Sequence, residues 1–273
     1  MVVYAGQGDA RRSMALLWRT AERDEARPGP KPGLSVDTIV DAAIAVADGE
    51  GMAALSMRKV GERLGRTGMA LYTYVPSKGE LVDLMYDRVL AELPAGYDLA
   101  GGWRAAVTAW AEHMWAFFLR HPWMLQVSQA RPVLGPNEFA ALETVIGILR
   151  PTGLPPARLR GVVALLFDFV RGAARTVAES RQAPSETGVP DEEWWTTRSA
   201  LLEEVAPGFA ARFPQVTWVE SEDDGPGDGE PWLRHRARQT FGVGLAVLLN
   251  GVEAAAEGFR RPLGASSYED AHH

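Results

Sequence analysis

The 273-residue chain has no cysteine. Disulfides, thiolate nucleophiles and cysteine-ligated zinc are thereby excluded. Lysine is scarce: Lys31, Lys59 and Lys78 are the only three among 28 cations, and all lie in the first third. The five histidines (His113, His121, His235, His272 and His273) show no metalloprotease spacing, and the last pair reads as tail. No nucleophile elbow or P-loop is present. "GQGDA" and "GDGE" lack the strand–turn–helix context of a phosphate-binding loop, and Glu192 and Glu193 beside Trp194 and Trp195 read as a helix start. We therefore expect no enzyme, no metal and no cofactor. Long hydrophobic runs are missing too. The longest, "FGVGLAVLL" at 241–249, is about half a membrane span. The opening "MVVYAG" is too short for a signal peptide and no basic segment precedes it. The expectation is cytoplasmic work without a membrane partner.

What is present is an apolar content of 47%, enough for a substantial core, and a net charge of −7. The charge is uneven. Between Leu55 and Lys78 stand five cations (Arg58, Lys59, Arg63, Arg66, Lys78) and one anion, Glu62, a net of +4. Between Glu186 and Glu230 stand twelve acids and two arginines, a net of −10. One segment attracts an anion and the other repels it.

The spacing of apolar residues predicts an all-α fold. Residues 1–34 read as an N-terminal extension, with a short helix around Leu16, Leu17 and Trp18 and a helix-breaking "RPGPKPG" linker that carries Arg27 and Lys31. A disordered tail is an equal alternative for this stretch. Residues 35–93 form the first domain. Ser35 caps a helix carrying Ile39, Val40, Ala43, Ile44 and Ala47, and "DGEG" ends it. Ser56 caps a short helix with Val60 and Leu64, Gly65 turns the chain, and Thr67 caps another with Leu71 and Val75 on one face. Ser77 and Glu80 form a capping box for a fourth helix. Residues 94–273 form the second domain, with helices expected at about 103–120, 122–130, 136–150, 156–180, 190–205 and 232–258, and an acidic Gly/Pro-rich loop at 219–231.

Two short helices joined through Gly65 match the helix-turn-helix plan, whose second helix enters the DNA major groove. Thr67, Gly68, Met69, Ala70, Thr73 and Tyr74 are left facing outward, a small, methyl-bearing and hydroxyl-bearing set suited to base edges. Tyr72, Tyr74 and Lys78 suit backbone phosphates, and Arg58 suits a guanine or a phosphate. A helical hairpin with a solvated face remains open, but such a face is usually richer in Glu, Lys and Gln.

Residues 38–89, "TIVDAAIAVADGEGMAALSMRKVGERLGRTGMALYTYVPSKGELVDLMYDRV", closely resemble the DNA-binding domain of the tetracycline-repressor (TetR) family of bacterial transcriptional regulators. "ALYTYVPSK" looks like its recognition-helix signature and "LSMRKVGERLG" like its supporting helix. "GWRAAVTAWAEHMWAFFLRHPW", "RPVLGPNEFAALE" and "LFDFVRGAA" resemble the family's regulatory domain more weakly. The resemblance implies a homodimer on a palindromic operator, one DNA-binding head per subunit, released when a small molecule enters the C-terminal core. It places that pocket at Trp110, Met114, Phe139, Leu142, Val145 and Asp168.

The residues themselves add His113 and Phe117 beside Trp110 and Met114 on one helix face, although an aromatic core explains any single one of them as well. Asp168, an acid in an apolar helix, is expected to pair with Arg171 or Arg175. The tetracycline repressor itself holds a magnesium–drug chelate through a histidine before an Arg-Pro pair. Residues 126–130, before Arg131-Pro132, contain none. A larger apolar or aromatic effector is therefore expected. Dimerisation is expected through helices 156–180 and 232–258, with Gly242, Leu245, Ala246, Leu249 and Val252 along one side and Glu253 at its edge, intramolecular packing being the alternative. Arg27 and Lys31 are expected to reach an adjacent minor groove. The competing reading is a small-molecule carrier or all-α enzyme whose helix-turn-helix binds no DNA.

Overall fold

A computed structural model describes residues 3–19, 33–221 and 232–260. Arg27, Lys31, most of the acidic loop and the terminal histidines lie outside the described residues. Within them the chain is helical, with one isolated parallel bridge between Val3 and Val127.

The elements follow from caps and breakers. α1 (Ala10–Leu17) starts on Asp9, whose side chain accepts from the Arg12 amide. α2 (Val36–Glu50) starts on Ser35, which accepts from Thr38, and ends at Gly51 with φ 79°. Ile39, Val40, Ala43, Val46 and Ala47 form its buried face. Ser56 caps α3 (Met57–Arg63). α4 (Gly68–Leu71) follows, and α5 (Lys78–Leu90) starts on Ser77, which accepts from Gly79 and Glu80.

α6 (Gly102–Arg120) is the aromatic-rich helix, and α7 (Pro136–Leu149) has proline in its first turn. α8 (Pro156–Thr187) packs on both α6 and α12 (Trp232–Arg260). Between them lie α9 (Asp191–Val205), α10 (Phe209–Arg212) and α11 (Pro214–Glu220).

Several features differ from the sequence expectation. α4 is a single turn, and residues 72–74 continue as turns. Val75 precedes a proline and so avoids the helical region, while the aromatic and β-branched run Tyr72-Thr73-Tyr74 favours helix weakly. Thr67 makes no side-chain cap bond. Residues 122–126 form a 3-10 turn instead of a helix running to 130, because Val127 is drawn into the bridge with Val3. α8 runs past 180 to Gly188, where φ reaches 75°.

The expected stripe on α12 splits in two. Leu245, Leu249 and Val252 are buried inside the subunit with Phe241. Gly242 and Ala246 are exposed, beside Val243 and Val247 at 67% and 63% exposure. Glu253 pairs within the chain, with Arg104 at 3.2 Å.

Candidate DNA-reading surface and effector cavity

The head is assembled by close backbone approach. A Cβ on Gly61 of α3 would lie 2.8 Å from the Arg66 carbonyl oxygen and 2.9 Å from the Gly68 nitrogen. A Cβ on Gly68 would lie 3.1 Å from the Arg58 nitrogen. The side of Gly68 that a Cβ would occupy therefore faces α3, so its outward face is backbone alone. Leu71 and Val75 are fully buried and hold α4 down.

Outward stand Arg58, Thr67, Met69, Tyr72, Thr73 and Lys78. Met69 is 76% exposed. Ala70 and Tyr74 are half-buried, and Tyr74 packs on the core. Arg58 is tied to Glu62 at 2.9 Å and Lys59 to Glu50 at 2.9 Å. Arg63, Arg66 and Lys78 have no ion pair among the described residues.

α5 joins this head to the rest of the chain through three buried carboxylates on one face: Glu80, Asp83 and Asp87. Glu80 contacts the Ser77 hydroxyl and lies against Gly8, where a Cβ would overlap its carboxylate. Both Asp83 oxygens accept from the Gly6 amide, at 3.2 and 3.1 Å. Asp87 caps α7, accepting from the Asn137 amide at 2.9 Å and the Glu138 amide at 3.0 Å. Burial raises the Asp83 pKa to about 6 and pushes Asp87 up as well.

The N-terminal segment is therefore packed in place. Val3 donates to the Gln126 carbonyl at 2.9 Å, and Trp18 Nε1 donates to the Leu134 carbonyl at 3.0 Å. A second junction is polar. His121 meets Asp48 of α2 at 2.8 Å and Glu92 at 3.1 Å, and Trp123 also donates to Asp48 at 2.8 Å. Burial opposes a charged His121, but the two carboxylates outweigh it and raise its pKa.

A cavity of about 490 Å³ opens among α5, α6, α7 and α8. Its wall includes Met114, Phe139, Leu142 and Asp168 from the expected set. It also includes Tyr86, Leu90, Phe118, Met124, Phe167 and Val163, with Gln129, Glu138, Arg160 and Arg171 as polar members. Trp110, His113, Phe117 and Val145 are not on it. Trp110 is buried edge-on against Phe167, with ring centroids 5.1 Å apart. His113 meets the Tyr97 hydroxyl at 3.1 Å, Phe117 packs on Phe118 and His121, and Val145 is fully buried.

The expected Asp168 pairing is also corrected. Arg171 Nη2 donates to the carbonyls of Leu125 and Val127, at 2.8 and 2.7 Å, and Arg175 pairs with Glu179 at 2.6 Å. The residues missed by sequence reading come from α5, from the turns around Met124 and Gln129, and from further positions on α6, α7 and α8. Phe118 and Phe167 carried a signal, since both sit in the apolar aromatic runs of their helices.

Residues 39–85 match the N-terminal domain described as "Bacterial regulatory proteins, tetR family". Residues 95–256 match the "Tetracyclin repressor-like, C-terminal domain". The chain belongs to the TetR family of bacterial regulatory proteins. The HTH-type transcriptional repressor DrrR1 of Streptomyces coeruleorubidus is 41% identical over 250 residues, 91% of this chain and 87% of that protein. An HTH-type transcriptional regulator of Saccharopolyspora erythraea is 30% identical over 234 residues, covering 86% and 91%. Among solved structures, the TetR family protein ActR of Streptomyces coelicolor, in complex with actinorhodin, superposes with a TM-score of 0.64 at 27% identity, over 84% of this chain and 99% of that one. As a TetR-family member, the chain is a DNA-binding transcriptional regulator.

Proposed function

We propose that the chain is a cytoplasmic repressor that binds a palindromic operator as a homodimer and leaves it when a small apolar or aromatic effector fills the cavity. It works by binding alone, without catalysis. The observation that carries the reading is the placement of α5. Its first residue is Lys78, beside the exposed α4 face, and its far end supplies Tyr86 and Leu90 to the cavity wall. A ligand that displaces one end of this helix moves the other, so a binding energy difference between two head positions becomes a difference in operator affinity. Thr67, Met69, Ala70 and Thr73 meet base edges, and Arg58, Tyr72 and Lys78 hold phosphates.

Dimerisation is supported by the free face of the α8–α12 pair. α12 is apolar enough to span a membrane by length and composition, yet 28% of that stretch is buried within the chain. Val243 and Val247 on α12 and Leu165 on α8 are left exposed. Small neighbours, Gly242 and Ala246, permit close helix approach across a two-fold axis. That DrrR1 is named a repressor and ActR is seen with actinorhodin supports both halves of the reading.

The test is to fill the cavity. Ala164 lines it. Ala164→Trp should keep operator binding and abolish release by actinorhodin and other aromatic compounds that release the wild type. Equal release from both proteins would overturn the cavity reading.

A further inference from the structure

One cavity-wall group lacks a hydrogen-bond acceptor. Arg171 points its guanidinium into the core beside α6, where Nη2 is anchored by the Leu125 and Val127 carbonyls. Its other terminal nitrogen, Nη1, is buried and has no hydrogen-bond partner. Among the described residues no ion pair neutralises the charge: Asp168, exposed to solvent, offsets it only through space, and Arg175 adds a like charge. Burial itself disfavours the cation. A buried guanidinium donor left unpaired costs free energy, and the cost is removed when an acceptor arrives.

The walls around it define what that acceptor is attached to. Phe118 lies under the guanidinium, 5.9 Å from its carbon to the ring centroid. Met114, Phe167, Leu142 and Val163 supply the apolar remainder. The two carbonyls that hold Nη2 fix the guanidinium plane, so Nη1 is held ready and loses little freedom on binding.

We propose that Arg171 is the specificity-determining residue of the effector cavity, and that it selects flat aromatic effectors carrying a phenolate or carbonyl oxygen at one edge. The inference rests on the reading of this cavity as the effector site. The ring system lies among Phe118, Phe167 and Met114, and the oxygen accepts from Arg171 Nη1. A phenol placed there is favoured in its ionised form, because the guanidinium stabilises the anion. Purely hydrocarbon ligands fill the same space but leave Nη1 unpaired.

A matched pair of probes tests this: naphthalene and 2-naphthol, which differ by one hydroxyl. Each is titrated into the full-length protein and followed by fluorescence, with the naphtholate absorbance band recorded against pH. Wild type should bind 2-naphthol about tenfold or more tighter than naphthalene, the range expected of a hydrogen bond from a charged donor. The bound naphthol should also ionise at lower pH than the free compound. Arg171→Gln should lose the preference for 2-naphthol over naphthalene and restore the free probe's ionisation. Arg171→Lys, which keeps the charge but not the two anchored nitrogens, should fall between them.

A naphthol preference that survives in Arg171→Gln would overturn the proposal. Were both variants to lose naphthalene, a wild-type ionisation shift would uphold the proposal and an unshifted one would sink it. Absence of naphthalene binding to wild type would instead sink the cavity reading itself.

Discussion

Replacing Gly61 with alanine probes the assembly of the head. Two terms oppose each other. Alanine is favoured over glycine inside a helix by up to about 1 kcal/mol. Against this, the new Cβ would sit 2.8 Å from the Arg66 oxygen, 2.9 Å from the Gly68 nitrogen and 3.0 Å from the Thr67 carbonyl carbon. All three are backbone atoms of the turn that sets α4, so no side chain can swing aside. Overpacking of this kind costs roughly 1–3 kcal/mol, and the turn must move by some tenths of an ångström to relieve it. The net expectation is a loss of up to about 2 kcal/mol, with weakened operator binding because α4 is displaced. Gly49 of α2 is the control, since a Cβ there meets nothing within 4 Å and Gly49→Ala should be neutral or stabilising. Urea unfolding gives the stability, and fluorescence anisotropy on an operator duplex gives the binding. Wild-type stability and wild-type binding in Gly61→Ala would refute the close-approach argument.

Three further outcomes are expected. Asp83 holds its proton up to about pH 6 in the folded chain, against an ordinary value of 3.8, so folding is favoured as pH falls from 6 toward 4 and this contribution is lost as pH rises through 6. The wild-type melting temperature, measured relative to Asp83→Asn, should therefore rise on acidification over that window. His121 behaves differently in position and cause: its bonds to Asp48 and Glu92 raise its folded pKa, so their stabilisation is present below about 6.5 and fades as pH rises through the folded value. A thermal-melt series of His121→Gln should lack that fall. Gly8→Ala would press a Cβ against the buried Glu80 and lift the N-terminal segment from α5, read as faster amide exchange in residues 3–19.

Much of this molecule is written locally. Ser35, Ser56 and Ser77 mark three helix starts, and each cap bond forms in the structure. The head is legible because its signals lie within a few residues of one another. The cavity is only half legible. Met114, Phe139, Leu142 and Asp168 reach its wall, whereas Trp110 and Phe117 share a helix face with Met114 yet turn into the packed core. A helix has two apolar sides here, one against α8 and one against α7, and periodicity does not say which of them lines a space. The acids of α5 are hidden in a similar way. Glu80, Asp83 and Asp87 look like a solvated face until Gly6, Gly8 and the start of α7 are folded onto them. Gly68 taught the opposite lesson: a glycine at a groove-facing motif position reflects contact with the Met57–Arg58 backbone.

Operator recognition itself is the central claim. Duplexes enriched by the full-length protein from a random DNA pool should carry a two-fold symmetric sequence with half-sites about one helical turn apart. Anisotropy with the enriched duplex should show affinity falling steeply with salt, and Lys78→Ala should lower that slope by about 1 for each phosphate it leaves without a cation. Enrichment of no symmetric sequence, or binding unaffected both by salt and by Lys78→Ala combined with Tyr72→Phe, would contradict the account.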